Sequence, residues 1–360
     1  MAIDHGDLAA QPSGASHIAA AARFLEQGQL VAFPTETVYG LGADAENPTA
    51  IARIYAAKGR PSTHPLIVHL APEVDLSYWV NAIPPEAQRL IARFWPGPLT
   101  LILPRATHIP AAVAGGQSSI GVRCPSHPVA QALLRAFKSG RGGIAAPSAN
   151  KFGHVSPTTA QHVRDEFGAE STNLIAAVLD GGQSAVGIES SILDLTRLPT
   201  HGAVLLRPGH ISAAQLAEVL GDLPAAADAA APRASGTLAA HYAPLTPVTI
   251  VDRVELDKVI ALLYAAKRAV AVLHMPAYTP PILKDHPAAT RYLQLPATPA
   301  GYAHALYAGL RTLDACAADI ILIERVPQSP SWQAVNDRLQ RAAFDSTDVL
   351  HRLLQRLPQA

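Results

Sequence analysis

The chain has 360 residues, 49% of them hydrophobic, with equal numbers of acidic and basic side chains. That length suits about two domains, and zero net charge argues against a broad nucleic-acid or membrane surface while leaving room for a small basic cleft. Two cysteines, Cys124 and Cys316, make neither a disulfide framework nor a thiolate metal cluster. The start M-A-I-D-H-G-D-L lacks the basic and apolar regions of a signal peptide, and no apolar run reaches membrane-span length, so a cytoplasmic protein is expected.

Residues 1–15 are polar and read as a frayed terminus. Ser16–Gln27 is a predicted helix closed by Gly28, and Leu30–Phe33 a buried strand that Pro34 ends, because proline cannot donate to a ladder. A polar turn of small residues follows: Thr35, Glu36, Thr37, Gly40, Gly42. Asn47-Pro48 opens the next helix as cap and first turn, and Gly59 ends it. Lys58, Arg60, His64 and His69 then lie along a loop running into strand Leu66–Leu70. A cationic loop facing a hydroxyl-rich turn suits an anion pocket. The same residues also suit a plainer role, since a basic residue at a helix end complements the helix dipole. Gly40-Leu41-Gly42 also lacks the third glycine of a dinucleotide fingerprint.

Helix Pro84–Phe94 stops at W-P-G-P, and Leu99–Leu103 is an apolar strand. Ser119–Val122 reads as a short strand delivering Arg123 at its end, followed by a helix over His127–Lys138. In the segment Ile144–Thr158 a buried strand ends at Pro147, with Ser148 and Asn150 on its exit. Ser156 is positioned to cap a helix over Thr158–Phe167. Alone, these residues are equally ordinary turn and cap residues. Strand Leu174–Leu179 leads to Asp180-Gly-Gly, turn Gly187–Ser191 to strand Ile192–Leu195, and strand Ala203–Leu206 to Arg207-Pro208-Gly209. Thus Thr35/Thr37, Ser119/Arg123, Ser148/Asn150, Glu189/Ser190 and Arg207 repeat one pattern, a buried strand followed by a polar turn. Such strand ends build ligand clefts in α/β proteins.

After helix Ser212–Leu220, small residues and prolines up to 247 mark a linker containing the island His241-Tyr242-Ala243-Pro244. A second alternation follows: strand Val248–Val251, helix Glu255–Lys267, strand Ala269–His274, helix Ala300–Cys316, strand Ile320–Glu324, then helices Trp332–Phe344 and Ser346–Leu357. This is a Rossmann-like layout without a glycine fingerprint, so no dinucleotide cofactor is expected. The predicted fold is α/β, a twisted mixed sheet with helices plus a smaller Rossmann-like domain. The predicted boundaries are 15–210, linker 211–247 and 248–360.

There is no G-x-S-x-G, H-E-x-x-H or G-x-x-x-x-G-K-[ST]. The polar inventory of hydroxyls, an Asn, one Lys, three Arg and two His suits a phosphate-bearing ligand and charge stabilisation rather than a covalent protein intermediate. Asn and Ser oxygens could share magnesium with ligand phosphates.

In order, the motifs are P-T-E-T-V-Y-G-L-G, K-G-R-P-x-x-x-P-L-I-V-H, W-P-G-P-L-T, G-V-R-C-P, A-A-P-S-A-N, S-P-T, D-G-G and L-L-R-P-G. This set resembles the YrdC-type threonylcarbamoyl-AMP synthases in their long form with a C-terminal domain. In the linker, Ala234-Ser-Gly-Thr-Leu stands where that family usually reads S-P-G-M. The resemblance implies a YrdC-like catalytic domain that makes threonylcarbamoyl-adenylate and pyrophosphate from L-threonine, bicarbonate and ATP. Magnesium would enter with ATP, and no tightly bound organic cofactor is expected. The product would feed a tRNA threonylcarbamoyl transferase complex, with at most weak tRNA contact and no membrane. By motif, Thr37, His69, Arg123, Ala146 and Ser190 would contact threonine, and Arg60, His64, Ser119, Ser148, Ser156, Arg207 and Tyr242 would contact ATP. Lys58 would serve phosphate charge, and Asn150 magnesium.

Tyr242 would make the linker a lid over the nucleotide. Tyr242→Ala is therefore expected to raise the KM for ATP more than that for threonine in steady-state kinetics. Equal loss of both, or of neither, would count against a lid.

Overall fold

The computed structural model describes residues 13–168, 174–280, 290–346 and 348–355. Two sheets organise them. The larger is mixed and ten-stranded, in the order β10-β9-β8-β4-β5-β3-β6-β2-β1-β7. Its strands are β1 Val31–Phe33, β2 Gly40–Asp44, β3 Ile67–Leu70, β4 Leu99–Pro104, β5 Ser119–Arg123, β6 Gly143–Ala145, β7 Ala177–Val178, β8 Ser191–Asp194, β9 Val204–Arg207 and β10 Ala225–Ala226. The smaller sheet is wholly parallel, in the order β11-β14-β12-β13, from β11 Val248–Val251, β12 Val270–His274, β13 Arg291–Gln294 and β14 Ile320–Glu324.

The central strands read as apolar runs because both their faces are covered; Leu99, Leu101, Ile102 and Leu103 of β4 are all buried. Helices cover the faces as their spacing dictates. In α1 (Ala15–Glu26), Ala21, Ala22 and Leu25 turn inward, and in α3 (Pro85–Phe94) Ala87, Leu90 and Phe94 do so. Helix α2 (Pro48–Lys58) begins with the Asn47 side chain accepting from the Thr49 and Ala50 amides and ends on Gly59 at φ 61°. The remaining helices of the large unit are α4 (Pro128–Ala136), α5 (Ala160–Phe167), α6 (Leu198–His201) and α7 (Ala213–Leu220). The small unit carries α8 (Arg253–Ala265), α9 (Pro299–Asp314), α10 (Gln333–Ala343) and α11 (Val349–Gln355).

Four expectations change. Gly40-Leu41-Gly42 is not a turn but the start of β2, antiparallel to β1. The glycine at 42 is required by crowding, since a Cβ there would stand 2.8 Å from Ile144 and 2.9 Å from Phe33. Ser156 does not cap α5; that helix starts two residues later than expected, and Thr159 caps it by accepting from the His162 amide. The linker is not wholly irregular, because β10 pairs in parallel with β9. Strand β13 was missed, its R-Y-L-Q being half exposed and without an apolar run. The beginning of the expected N-terminal tail and the last residues of the expected final helix, 1–12 and 356–357, lie outside the described residues.

The two units share a core. Val38, Val155, Ile188 and Tyr242 pack in one cluster with Tyr302, Leu306, Tyr307 and Leu339 of the small unit. Gly187 sits at this seam with φ +81°, and a Cβ there would meet the Ala303 carbonyl oxygen and the His304 Cα at 2.5 Å each. Strain in the backbone and a clash with the backbone of α9 then act together. Gly187→Ala is expected to destabilise the protein by on the order of 2 kcal/mol or more. The check is a lowered urea midpoint at unchanged slope; a wild-type midpoint would mean that the seam yields freely.

Candidate active site

Strand ends β3, β5, β6 and β9 and the segments before β2 and β8 converge on one cavity. It is lined by Thr35, Thr37, His69, Arg123, Ala146, Ser148, Glu189 and Arg207, and closed over by Ser235, Gly236, His241 and Tyr242 of the linker. The cavity's volume is about 40 Å³, room for a few water molecules.

Arg123, buried at the end of β5, is fixed from three directions. Its Nε donates to the Gly97 carbonyl at 3.2 Å, one terminal nitrogen to the Thr37 hydroxyl at 2.9 Å, and the other to Glu36 Oε1 at 2.6 Å. Glu36 in turn accepts from the Ser126 amide at 3.1 Å, and the Thr35 and Thr37 hydroxyls lie 2.8 Å apart. In β3, paired with β5, His69 faces Arg123 in register. Burial first, and then the Arg123 charge, push its pKa down to about 3, so its imidazole is neutral.

Arg207 enters from β9. Its Nε and Nη2 donate to the Ser190 carbonyl at 3.1 and 2.9 Å, and Nη1 reaches the Ser235 carbonyl at 2.8 Å. Arg60 Nη2 donates to the Pro65 carbonyl at 3.0 Å and the Ser235 hydroxyl at 3.3 Å. Burial is the main cause holding the Arg60 guanidinium down at about 10, still charged at neutral pH. Thus one linker serine takes hydrogen bonds from Arg207, which lines the cavity, and from Arg60, which does not. The linker is anchored further by Arg233, whose amide donates to Gln117 Oε1 at 2.8 Å and whose Nη2 donates to the Gly115 carbonyl at 3.0 Å.

Glu189 is a buried carboxylate in the cavity wall. It accepts from the Ser156 hydroxyl at 2.6 Å on one oxygen, and from the Tyr307 hydroxyl at 2.8 Å and Arg338 Nε at 2.9 Å on the other. Burial alone would raise its pKa; the Arg338 and Arg207 charges with the Ser156 hydrogen bond outweigh that and hold it at about 2. Arg123 pairs with Glu36 and Arg338 with Glu189, while Arg207 and Arg60 donate to carbonyls and Ser235 and have no ion-pair partner among the described residues. The excess positive charge suits an anionic ligand.

Of the residues singled out in the sequence, Thr37, His69, Arg123, Ala146, Ser148, Arg207 and Tyr242 line this cavity. Ser190 lies just behind it, its hydroxyl 2.8 Å from that of Thr100 and 3.1 Å from Arg207. His64 does not line the cavity; its ring is edge-on to Phe152 at 5.3 Å, and Phe152 in turn meets the lining residue His241 at 6.0 Å. Lys58 does not face the cavity. Its ammonium is buried and donates to the Ser148 carbonyl at 2.6 Å and to the Asn150 carbonyl, while burial first, then Arg60, lowers its pKa well below the usual lysine value. Ser119, at the opposite end of β5 from Arg123, borders a separate hollow with Gln117, Arg105 and Arg197. Asn150 is buried; its Nδ2 donates to the Lys151 and His154 carbonyls, and its Oδ1 has no hydrogen-bond partner. Among the described residues no group of three His, Cys, Asp or Glu could hold a metal. Asn150 is not among the residues lining the cavity, so its spare side-chain oxygen is an unpaired oxygen donor near the Ser148 turn rather than part of a formed metal site.

Glu36 and Glu189 were visible in the P-T-E-T and G-I-E-S-S motifs as turn residues, with no sign of their buried partners. Nothing in the sequence around Tyr307 or Arg338 pointed to the cavity.

Fold and cavity together define a two-unit α/β protein whose large mixed sheet ends at a polar cavity lined by Arg123 and Arg207. Residues 23–209 match the Sua5/YciO/YrdC family model, described as telomere recombination, and residues 211–344 match the Sua5 C-terminal domain model, described as threonylcarbamoyl-AMP synthase, C-terminal domain. The chain belongs to this family in its two-domain form. It is 38% identical to the threonylcarbamoyl-AMP synthase of Pyrococcus abyssi over 90% of this chain and 93% of that one, and 39% identical to that of Bacillus subtilis over 91% and 92%. The crystal structure of P. abyssi Sua5 complexed with L-threonine superposes with a TM-score of 0.83 at 36% identity, covering 93% of this chain and 96% of that one.

The buried histidines make stability pH-dependent. His241, like His69, is held neutral with its pKa at about 3, by burial above all; the Glu189 charge pulls the other way, and the Arg60, Lys58 and Arg207 charges add to the lowering. The folded value lies below the unfolded one. The unfolded chain therefore takes up the proton first, and stability present above about pH 6.5 is lost progressively as the pH falls towards 3. Each such histidine should cost on the order of 2 kcal/mol between pH 7 and pH 5. Glu189, with its depressed pKa, loses its contribution only below the ordinary carboxylate range and does not interfere in that window. His241→Gln is expected to flatten the fall in denaturation free energy between pH 7 and pH 5 by about that amount; an unchanged fall would contradict a neutral buried His241.

Proposed function

We infer that the protein is an L-threonylcarbamoyladenylate synthase, a nucleotidyltransferase acting on L-threonine, bicarbonate and ATP. The observation that carries this reading is Arg123, locked by Glu36, Thr37 and Gly97 and set beside neutral His69 and Ala146. A threonine carboxylate would meet the guanidinium, and the Thr37 hydroxyl would serve the amino acid's polar groups. Pre-orientation of this kind is what a reaction between two bound substrates requires.

The threonine amine would add to bicarbonate with loss of water, giving the carbamate. A carbamate oxygen would then attack the α-phosphorus of ATP and expel pyrophosphate. Arg207 and Arg60 would hold phosphate oxygens and spread the charge that develops there. To do so they would exchange Ser235 for the ligand, so the linker must lift to admit ATP into a space of about 40 Å³. Tyr242 would then close on the nucleotide. Magnesium would enter on the ATP phosphates, shield their charge, and find its protein ligand at Asn150. Lys58 would act indirectly, holding the turn that carries Ser148 and Asn150. Ser156 would act through Glu189, and His64 from outside the cavity; Ser119 would touch only a ligand part reaching beyond the cavity. The adenylate would pass to a transferase that modifies tRNA, in the cytoplasm. Among the described residues no helix is long and apolar enough to cross a membrane.

The test is a product assay. Purified protein with ATP, magnesium and bicarbonate should release pyrophosphate only when L-threonine is added, with threonylcarbamoyl-AMP identified by mass. Pyrophosphate formed from carbamoyl phosphate but not from threonine would replace the reading with carbamoyl transfer. Stabilisation by RNA alone, with no turnover, would replace it with an RNA-binding role.

A further inference from the structure

The small unit places two side chains against the cavity. Arg338, from α10, is 1% exposed, and Tyr307, from α9, is fully buried. Both donate to the same oxygen of Glu189, whose other oxygen takes the Ser156 hydroxyl. The Tyr307 ring stacks on Tyr242 with centroids 5.7 Å apart and planes at 29°, and the Arg338 guanidinium lies 5.2 Å from the centre of the Tyr242 ring. Tyr242 itself holds φ +62°, a left-handed conformation a tyrosine adopts only when its surroundings enforce it.

Packing alone does not explain Arg338. An apolar side chain of similar volume generally stabilises a buried site at least as well as an ion pair, and one Arg338 nitrogen has no partner among the described residues. Its Nη1 pairs with Asp337 of the same helix; beyond that, the guanidinium aims a charge at Glu189 and a cationic face at Tyr242, two groups of the cavity wall on different segments.

We propose that Arg338 and Tyr307 are positioning residues for the nucleotide, acting through Glu189 and Tyr242, so that the ATP site is complete only with the C-terminal unit docked. This deepens the synthase reading and rests on it. The order of events follows from the geometry. A linker that lifts takes Tyr242 off Tyr307 and Arg338, and those two, fixed in a different unit, are the template on which it closes again.

The experiment uses the full chain with Arg338→Met, Arg338→Lys, Tyr307→Phe and Glu189→Gln, with Arg325→Ala as control; Arg325 is half exposed and pairs with Asp252, away from the cavity. The dissociation constant for ATP is read by calorimetry and the two KM values by product formation. Arg338→Met is expected to weaken ATP about tenfold, the order for loss of one buried charge-assisted hydrogen bond, while the KM for threonine moves less than about twofold. Arg338→Lys should restore part of the loss. In the Glu189→Gln background Arg338→Met should add less than about twofold, because both changes break the same link. Tyr307→Phe removes one oxygen and decides the matter if Arg338→Met does not fold; it should weaken ATP about threefold. A fall in melting temperature with ATP and threonine affinities unchanged, or with both reduced equally, would overturn the proposal. Calorimetry is independent of turnover, so an inactive wild type would count against the synthase reading alone and leave the ATP shift to judge the positioning role.

Discussion

Burying cationic side chains around one small cavity is the constraint from which much of this architecture follows. Arg60, Arg123, Arg207, Arg338 and Lys58 are all nearly solvent-free. A charge taken out of water costs several kcal/mol unless it is answered at close range. The answers come from distant parts of the chain: Glu36 and Gly97 for Arg123, the Ser190 carbonyl for Arg207, the carbonyls of Ser148 and Asn150 for Lys58, and Glu189 for Arg338. The first two tie a turn to a strand end, and the last two tie a turn to a helix. The polar turns are therefore held as firmly as the strands that carry them, and a ligand meets donors already in place.

How much of this was legible depended on distance along the chain. Strands such as β4 and β14 were readable because an apolar run bounded by breakers has few other readings. Helix α2 was readable because Asn47-Pro48 and Gly59 are local signals whose chemistry acts on neighbouring amides and carbonyls. The cavity was legible as a set of polar strand ends, and half of the residues named from the motifs do line it. What failed were inferences where tertiary contact overrides local chemistry. Ser156 is a good capping residue by type, but Glu189, 33 positions away, claims its hydroxyl. Gly40-Leu41-Gly42 reads as a turn because glycines break strands, yet here they let β2 approach Phe33 and Ile144. Lys58 looks like a free cation at a helix end until the carbonyls 90 and 92 residues later are seen around it.

The small unit illustrates the same limit. Helix α10, Q-A-V-N-D-R-L-Q-R-A-A, sets Asp337, Arg338 and Arg341 within little more than one turn. Asp337 pairs with both arginines, but Arg338 also reaches Glu189 in the seam between units and is buried there. Spacing alone puts positions 338 and 341 on one face, and only the position of the neighbouring unit tells which arginine meets a buried carboxylate.

The outer strands of the large sheet, β10 at one end and β7 at the other, are two residues long. A sheet edge presents unpaired amides and carbonyls, and long flat edges recruit other chains into mixed sheets and aggregates. Here a ten-stranded sheet with a very apolar centre tapers to stubs on both sides. Each stub offers so few free pairing groups that a stray strand would find little to zip onto. Much of the linker that overlies the cavity follows directly from β10, so one short pairing both starts that segment and blunts the edge. Protection against edge-to-edge strand pairing is thus built into the sheet's outline, apart from anything the cavity does.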